Sequence, residues 1–332
     1  MAEYINIKGQ NIEVVTSDPS NPTIGQIWYN TTSQTLKGQG ATTVGTWATS
    51  GAMGTARGAL AGCGTQTAGL AFGGDAGPTF TGATEEYNGA TWTANPTGLN
   101  TARLGLGGAG TQAAGLAFGG SPPITGATEE YDGSIWTNSA SLGTARYILA
   151  GCGTQTAGLA FGGFVPPASS PRNSAATELY DGSTWTTSGN LNTARHYLTG
   201  CGTQTAGLGF GGYITTSQSA TEEFNGSTWA ANPTGLGTAR YRLGGCGLQT
   251  SALAFGGVPT GPTLNVTGAT ELYDGTSWTT NPNSMSTARY ALAGAGTQTA
   301  ALAFGGYTPT VQSATEEFTG PGSPVTVTIT GT

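Results

Sequence analysis

The hydrophobic and small residues of this chain follow one pattern that returns six times. Each copy contains four short apolar runs, separated by turns rich in Gly, Asn, Asp and Thr. In the third copy the runs are YILAGCG (147–153), TAGLAFGG (156–163), ATELYDG (176–182) and STWTT (183–187). Leu159 and Phe161 stand two positions apart, which places them on one face of a strand. We therefore predict four β-strands in each copy, named a to d in chain order.

Fixed residues mark the same register in every copy. Strand a follows an Arg, strand b ends in Phe-Gly-Gly, and strand d contains a Trp. The arginines are Arg57, Arg103, Arg146, Arg195, Arg240 and Arg289, spaced 43 to 49 residues apart. The tryptophans of strand d are Trp47, Trp92, Trp136, Trp185, Trp229 and Trp278. Four antiparallel strands repeated at this period are typical of a β-propeller blade.

The strand order predicts how the ring closes. The sixth copy has no Trp strand after its strand c, whereas an unassigned Trp strand at 44–50 precedes the first copy. We predict that 44–50 forms the outer strand of the last blade, which removes the open edge of the ring. The predicted domains are an N-terminal extension or anchor hairpin at 1–40, a six-bladed propeller at 41–319 and a C-terminal β tail at 320–332.

Glycine makes up 58 of the 332 residues, and its positions carry two further predictions. In strand a we attribute it to the crowding of the inner strands around one axis. Strands c and d meet at Asn-Gly or Asp-Gly in five copies, as at Asn88-Gly89. Both central residues of a two-residue hairpin turn need φ > 0, so we predict such a turn here.

Length differences between copies fall in the d–a loop, by one residue, and in the b–c loop, which has 6 to 12 residues. Both loops leave an up-and-down blade at the same end, named here the variable-loop end. Because insertions in repeat proteins collect on the binding face, we predict that this end binds a ligand. The candidate residues follow the repeated Arg or lie in the b–c loops: Tyr147, His196, Tyr241, Arg242, Tyr290, Phe80, Phe164, Tyr213 and Tyr307. The alternative is that these aromatics only cover the blades.

The remaining candidate chemistry favours structural roles. A Glu opens strand c in every copy, so we expect it to form an ion pair with the repeated Arg, the alternative being a ligand-binding ring of charge. Cys63, Cys152, Cys201 and Cys246 share one repeat position that Ala fills in the other copies, which predicts buried, reduced thiols. A single histidine is too few for a metal site, so we expect no metal and no cofactor. We find no nucleophile–base–acid set and predict that the chain is not an enzyme.

Charge and hydropathy exclude two classes of partner. The net charge is −7, which disfavours binding to the phosphate backbone of a nucleic acid. No run of 18 apolar residues occurs, so we predict no membrane span. The start, MAEYINIKGQNIEVV, lacks a basic segment followed by an apolar one, and we expect no signal peptide.

The layout from residue 44 to about 319 resembles kelch repeats, through the Arg before strand a, the Gly-Gly after strand b, the aromatic residue of TEEYNG and the Trp of strand d. The fold expectation is thus an all-β, six-bladed kelch-like β-propeller closed by an N-terminal outer strand, with short N- and C-terminal β extensions. Kelch propellers serve as enzymes, adaptors and virion parts, so the resemblance does not fix function.

Two further stretches resemble proteins of phage particles. SDPSNPTIGQIWYNTTSQTLKG (17–38) is similar to the Trp-Tyr-Asn hairpins of tailed-phage structural proteins. Repeats of the GTQTAGLAFGG and ATEEYDGSTW type resemble kelch-like virion proteins of marine phages. The resemblance implies a non-enzymatic tail, fibre or head-surface protein of the virion, made in the host cytoplasm and assembled in multiple copies. A free, lectin-like glycan-binding module and a hydrolase of surface polysaccharide stay open as alternatives.

The ends of the chain are the expected points of attachment to other virion proteins, through 1–40 and 320–332, while the propeller faces a host-surface glycan or protein. In SPVTVTITGT (323–332) apolar residues alternate with Thr, which predicts a strand. This strand has no place in the predicted ring. It pairs either with residues 5–15 of the same chain or with the sheet of a neighbouring molecule.

Overall fold

The computed structural model describes residues 12–41, 44–165, 172–259, 265–322 and 324–329. Its regular secondary structure consists of β-strands, and these ranges contain no helix. The chain divides into two compact units, Met1–Gly45 with Thr319–Thr332, and Thr46–Phe318. The structure is therefore all-β, as the pattern of apolar runs predicts.

The larger unit contains six four-stranded antiparallel sheets in its described part, numbered 1 to 6 along the chain. Sheet 1 consists of β5 (Ala61–Gly64), β6 (Gly69–Phe72), β7 (Thr84–Tyr87) and β8 (Trp92–Asn95). Sheet 2 consists of β9 (Gly107–Thr111), β10 (Ala114–Phe118), β11 (Thr128–Tyr131) and β12 (Trp136–Ser139). Sheet 3 consists of β13 (Ala150–Thr154), β14 (Ala157–Phe161), β15 (Thr177–Tyr180) and β16 (Trp185–Ser188). The strands of sheets 4 and 5 are β17 (Thr199–Gly202), β18 (Gly207–Phe210), β19 (Thr221–Phe224) and β20 (Trp229–Asn232); β22 (Gly244–Leu248), β23 (Ser251–Phe255), β25 (Thr270–Tyr273) and β26 (Trp278–Asn281). A two-stranded sheet, β21 (Arg240–Tyr241) with β24 (Val258–Pro259), accompanies sheet 5.

Sheet 6 takes its outer strand from the other end of the sequence. Its strands are β27 (Ala293–Gly296), β28 (Ala300–Phe304), β29 (Thr315–Thr319) and β4 (Thr46–Ser50). The prediction that the Trp strand at 44–50 completes the last sheet is thus confirmed. The first strands of successive sheets contact one another in chain order, and β27 contacts β5. This arrangement of repeated four-stranded sheets is consistent with a β-propeller.

The glycines of strand a make room for a specific neighbour. A Cβ on Gly62 would lie 2.3 Å from Cζ of Phe304, which belongs to strand b of sheet 6. Gly151 stands in the same relation to Phe118 of sheet 2, also at 2.3 Å. The buried Phe at the end of strand b therefore requires glycine in strand a of the next sheet. The predicted lack of space at strand a is therefore caused by the phenylalanine ring of the preceding sheet.

The c–d turns differ from the two-residue hairpins that we predicted. Tyr87 pairs with Trp92, so four residues, 88–91, connect the strands. Within the Asn-Gly dipeptide only Gly89 has a positive φ, of 92°. The side-chain Oδ1 of Asn88 accepts hydrogen bonds from the backbone N–H groups two and three residues further on. Asn and Asp are thus required as caps of a longer turn, and not for a left-handed backbone.

The smaller unit contains a mixed four-stranded sheet with the order β1 (Glu13–Val15), β2 (Ile27–Asn30), β3 (Thr35–Ala41) and β30 (Pro324–Ile329). The C-terminal strand pairs within the chain, antiparallel to β3, with Val327 opposite Gly38. The predicted pairing with residues 5–15 is wrong for the part described, because β1 lies at the opposite edge of the sheet from β30. Residues 5–11 of that prediction lie outside the described residues.

Asp18 organises the Trp-Tyr-Asn hairpin of this unit. Its Oδ1 accepts hydrogen bonds from Nε1 of Trp28 at 3.0 Å and Nδ2 of Asn30 at 2.7 Å. Its Oδ2 lies 2.6 Å from Nζ of Lys37. The hydrogen bonds from Lys37, Trp28 and Asn30 lower the pKa of Asp18 to about 2. Trp28 is fully buried, so this network explains why the motif contains Trp and Asn at alternate positions.

Candidate functional site

The repeated Arg and Glu form a buried ion pair inside each sheet, as the sequence predicts. In sheet 1, Nη2 of Arg57 lies 3.1 Å from Oε1 of Glu85, and the Arg is fully buried. The Arg also donates to the backbone oxygens of Gly73 and Ala83, and Glu85 accepts the N–H of Gly54. Burial lowers the pKa of Arg57, and Glu85 opposes that shift. The other pairs are Arg103–Glu129, Arg146–Glu178, Arg195–Glu222, Arg240–Glu271 and Arg289–Glu316.

Other repeated residues connect each sheet to the one before it. Trp92 of sheet 1 packs against Phe304 of sheet 6, with 4.9 Å between ring centroids, and donates to Oγ1 of Thr315 at 2.9 Å. Nε2 of Gln66 donates to the backbone oxygen of Phe318 at 2.8 Å. The remaining five junctions have an equivalent Trp–Thr bond and Gln clamp. The invariance of Trp and Gln among the copies therefore reflects packing between sheets.

A fourth junction contact varies between sheets in a matched way. The hydroxyl of Tyr180 in sheet 3 donates to the carboxylate of Glu130 in sheet 2. Where sheet 4 has Phe224 at the Tyr position, sheet 3 has Leu179 at the Glu position, and the two pack together. Burial raises the pKa of Tyr180 to about 12, so its hydroxyl remains a donor. The other Tyr–Glu junctions are Tyr87–Glu317, Tyr131–Glu86 and Tyr273–Glu223.

The Tyr–Glu and Phe–Leu pairs are visible in the sequence, but our sequence analysis did not identify them. Strand c reads TEEY or TEEF in four copies and TELY in two. Each Leu precedes a sheet whose strand c ends in Phe, and Leu272 packs with the cluster around Phe318 as Leu179 does with Phe224. A comparison of each copy with the next one along the chain would have revealed the pairing.

The candidate ligand-binding residues come together in pairs. In each sheet the residue after the Arg forms a β-bridge with the first residue of the b–c loop. The bridges join Tyr147 with Phe164, His196 with Tyr213, Tyr290 with Tyr307, and Tyr241 with Val258. The two groups of aromatics that we predicted separately are therefore neighbours on one surface.

Five of these rings form a continuous series, named here the aromatic arc: Tyr147, Phe164, His196, Tyr213 and Tyr241. Successive ring centroids lie 5.6, 5.4, 5.6 and 5.0 Å apart. Four of the five side chains are partly exposed, and His196 is buried to 9% exposure. Edge-to-face and tilted contacts of this kind stabilise aromatic clusters.

Tyr290 and Tyr307 form a separate stacked pair, with centroids 5.2 Å apart. The hydroxyl of Tyr307 donates to Oδ2 of Asp75 at 2.7 Å, and its ring lies over Gly58. A Cβ on Gly58 would be 2.1 Å from that ring, so glycine is required there. Phe80 is 45% exposed and forms a bridge with Asp75, but it has no ring contact with the arc among the described residues.

Arg242 connects the arc to the Tyr290–Tyr307 pair. Its guanidinium carbon lies 4.2 Å from the ring centroid of Tyr197, 5.8 Å from that of Tyr241 and 5.5 Å from that of Tyr290. Its Nη2 donates to the hydroxyl of Tyr197 at 2.5 Å. Burial, and then the charge of Arg242, lower the pKa of His196 to about 4. Tyr197 is a site residue that our sequence analysis missed.

The backbone beneath Arg242 explains why Tyr197 and Arg242 meet. They occupy equivalent positions, two residues after the repeated Arg, where φ is +49° to +61° in every sheet. Each N–H there donates to the carbonyl of the equivalent residue in the preceding sheet, over 2.5 to 3.0 Å. The residues are Ala59, Gly105, Ile148, Tyr197, Arg242 and Ala291, and Ala59 donates to Ala291. Together with the first strands of all six sheets, they line a cavity of about 160 Å³.

Two comparisons with known proteins found no relative of this chain: no protein-family model matches it, and no curated protein matches it. Within the described ranges, no cluster of three or more His, Cys, Asp and Glu could hold a metal ion. The described part also has no helix long and apolar enough to cross a membrane. All four cysteines are buried without a disulfide, as predicted, and burial raises the pKa of Cys63 to about 12.

Proposed function

We propose that the larger unit is a closed, six-bladed, kelch-like β-propeller. The contacts of Trp92 and Gln66 with sheet 6 support closure, because they repeat the contacts found between all other successive sheets. The hydrogen bonds of the residues two places after the Arg support it as well, since the sixth of them leads back to the first. In this proposal each four-stranded sheet is one blade.

We infer that the propeller binds a ligand at its variable-loop end. One observation carries this inference: the residue after the repeated Arg is aromatic in only four of the six copies. Gly58 and Leu104 occupy the same position in the other two, so the fold itself does not require an aromatic ring there. Aromatic side chains grouped on one partly exposed surface are typical of protein and sugar recognition.

We further propose that the chain is a non-enzymatic structural protein of a phage particle, assembled in multiple copies and attached to other virion proteins through 1–40 and 320–332. The resemblance of 17–38 and of the repeats to phage structural proteins supports this assignment. The pairing of β3 with β30 is compatible with it, because the chain enters and leaves the larger unit through one sheet. In this proposal the variable-loop end of the propeller serves host attachment.

Binding of the purified full chain to host cells tests the ligand-binding role. We expect Tyr147→Ser combined with Tyr213→Ser to abolish binding, because the arc loses two of its rings. The matched control is Phe80→Ser, which removes an exposed aromatic residue outside the arc. Equal binding by the arc variant and the wild type would contradict the proposal.

A free glycan-binding module is the second candidate, and the same aromatic arc favours it. The two candidates differ in where the chain is found. Its presence in purified particles, by mass spectrometry, supports the virion protein. Absence from particles, together with glycan binding by the isolated chain, would favour the free module.

A further inference from the structure

Arg242 differs from the six repeated arginines and from Lys37 in having no carboxylate partner among the described residues. The six repeated arginines are fully buried against Glu, and Lys37 pairs with Asp18. Among the described residues no carboxylate lies within ion-pair distance of the Arg242 guanidinium, which is half-buried between tyrosine rings. Its positive charge is therefore available at the variable-loop end.

The fold does not need an arginine at this position. The equivalent residues include Ala59, Ala291 and Gly105, which make the same backbone hydrogen bonds. The backbone of Arg242 has φ = +56°, a conformation that glycine adopts without strain and a long side chain does not. Ala59, Ile148 and Ala291 adopt the same conformation in other sheets, so the backbone does not select arginine, and the long charged side chain of Arg242 points to a function of its own.

The surroundings of Arg242 define the chemistry of its ligand. A guanidinium binds a carboxylate through two parallel hydrogen bonds. Nε of Arg242 is buried and one N–H of Nη2 donates to the Tyr197 hydroxyl, so Nη1 and the second N–H of Nη2 are the donors for a carboxylate. The flanking rings of Tyr197 and Tyr241 are partly exposed and offer flat apolar surface with hydroxyl groups at its edge, whereas Tyr290 is buried at 9% exposure. Such rings pack against the C–H face of a sugar and hydrogen-bond to its hydroxyls.

A ligand that suits this site carries one carboxylate on an otherwise uncharged, polar ring. An acidic peptide suits it less, because Arg242 is the single cation among these tyrosine rings in the described residues. We propose that Arg242 binds the carboxylate of an acidic sugar, of the uronic or sialic acid class, while Tyr197 and Tyr241 contact the sugar ring. The proposal rests on the ligand-binding role of the variable-loop end and names the class of ligand.

The test uses the full chain on an array of oligosaccharides that carry uronic or sialic acids, each printed beside its methyl ester. The ester keeps the sugar and removes the charge. We expect at least one acid to bind about 30-fold more tightly than its ester, because the ester leaves the guanidinium unpaired. Arg242→Gln should remove that preference, whereas the control Arg172→Gln, an exposed arginine of the third b–c loop, should keep it.

Thermal unfolding of each variant shows whether it is folded, and Arg242→Lys provides a second variant that keeps the charge. We expect Arg242→Lys to retain part of the preference for the acid. Binding of acid and ester with equal affinity, binding of acidic peptides alone, or binding to no acidic sugar would each overturn the proposal. Loss of cell binding in the aromatic arc variant would in those cases still support ligand binding by this end, so the two failures are distinguishable.

Discussion

The matched Tyr–Glu and Phe–Leu junctions allow a quantitative prediction about how the sheets recognise one another. Tyr180 is fully buried, and its hydroxyl donates to Glu130, which is partly exposed. A hydrogen bond to a charged group contributes about 1.5–3 kcal/mol, and the exposure of Glu130 places this one at the low end. We expect Tyr180→Phe and Glu130→Leu each to lower the free energy of unfolding by about 1.5 kcal/mol.

The double variant Tyr180→Phe with Glu130→Leu should cost far less than the sum of the two, because it recreates the Leu179–Phe224 junction found between sheets 3 and 4. We expect a coupling energy of about 1–1.5 kcal/mol, within the range known for residues in contact. Urea unfolding followed by tryptophan fluorescence measures the free energy of unfolding of the wild type, the two single variants and the double variant. The matched control is Glu223→Leu, which removes the carboxylate that accepts the hydrogen bond of Tyr273 in another junction. Strictly additive losses for Tyr180 and Glu130 would refute the idea that these residues act as a pair.

Three further predictions concern the buried ion pair, the histidine and the glycine beneath the stacked tyrosines. Arg146→Met leaves the carboxylate of Glu178 buried and unpaired, and should lower the free energy of unfolding in urea by about 3–5 kcal/mol. Adding Glu178→Leu should restore part of that stability, and a double variant as unstable as Arg146→Met would contradict the prediction. The pKa of His196 is lowered from 6.5 to about 4 in the folded chain. Between pH 6.5 and 4 the unfolded chain therefore binds more protons than the folded chain, and the free energy of unfolding falls as the pH falls. The wild type should lose stability relative to His196→Gln across that window, and a pH-independent difference would exclude this reasoning. Gly58→Ala should cost about 1–3 kcal/mol in thermal unfolding because its methyl group meets the ring of Tyr307, and Tyr307→Ser should relieve the cost.

The repeat made much of the fold predictable from the sequence. Fixed offsets from the Arg report local structure shared by all copies, so the four strands and the buried Arg–Glu pairs followed directly. The placement of β4 in sheet 6 followed from a simple count of Trp strands. Four thiols at a position that also accepts Ala had to be buried, and they are.

Features that depend on backbone conformation or on distant pairing were not predictable in this way. The c–d dipeptide fits both a two-residue turn and the four-residue turn closed by Asn88, and only the structure separates them. Tyr197 contacts Arg242 because the backbone at both positions is left-handed, which neither residue type favours. The pairing of β30 with β3 joins strands almost 300 residues apart, and alternating Val and Thr would suit several edges equally.

The most direct test of the proposed function is a cryo-electron microscopy reconstruction of the phage particles that we propose carry this chain. We predict a six-bladed propeller at regular positions on the particle surface, joined to its neighbours through 1–40 and 320–332. The variable-loop end, with the aromatic arc and Arg242, should face solvent. Particles without the propeller, or propellers whose variable-loop end is buried against other virion proteins, would contradict it.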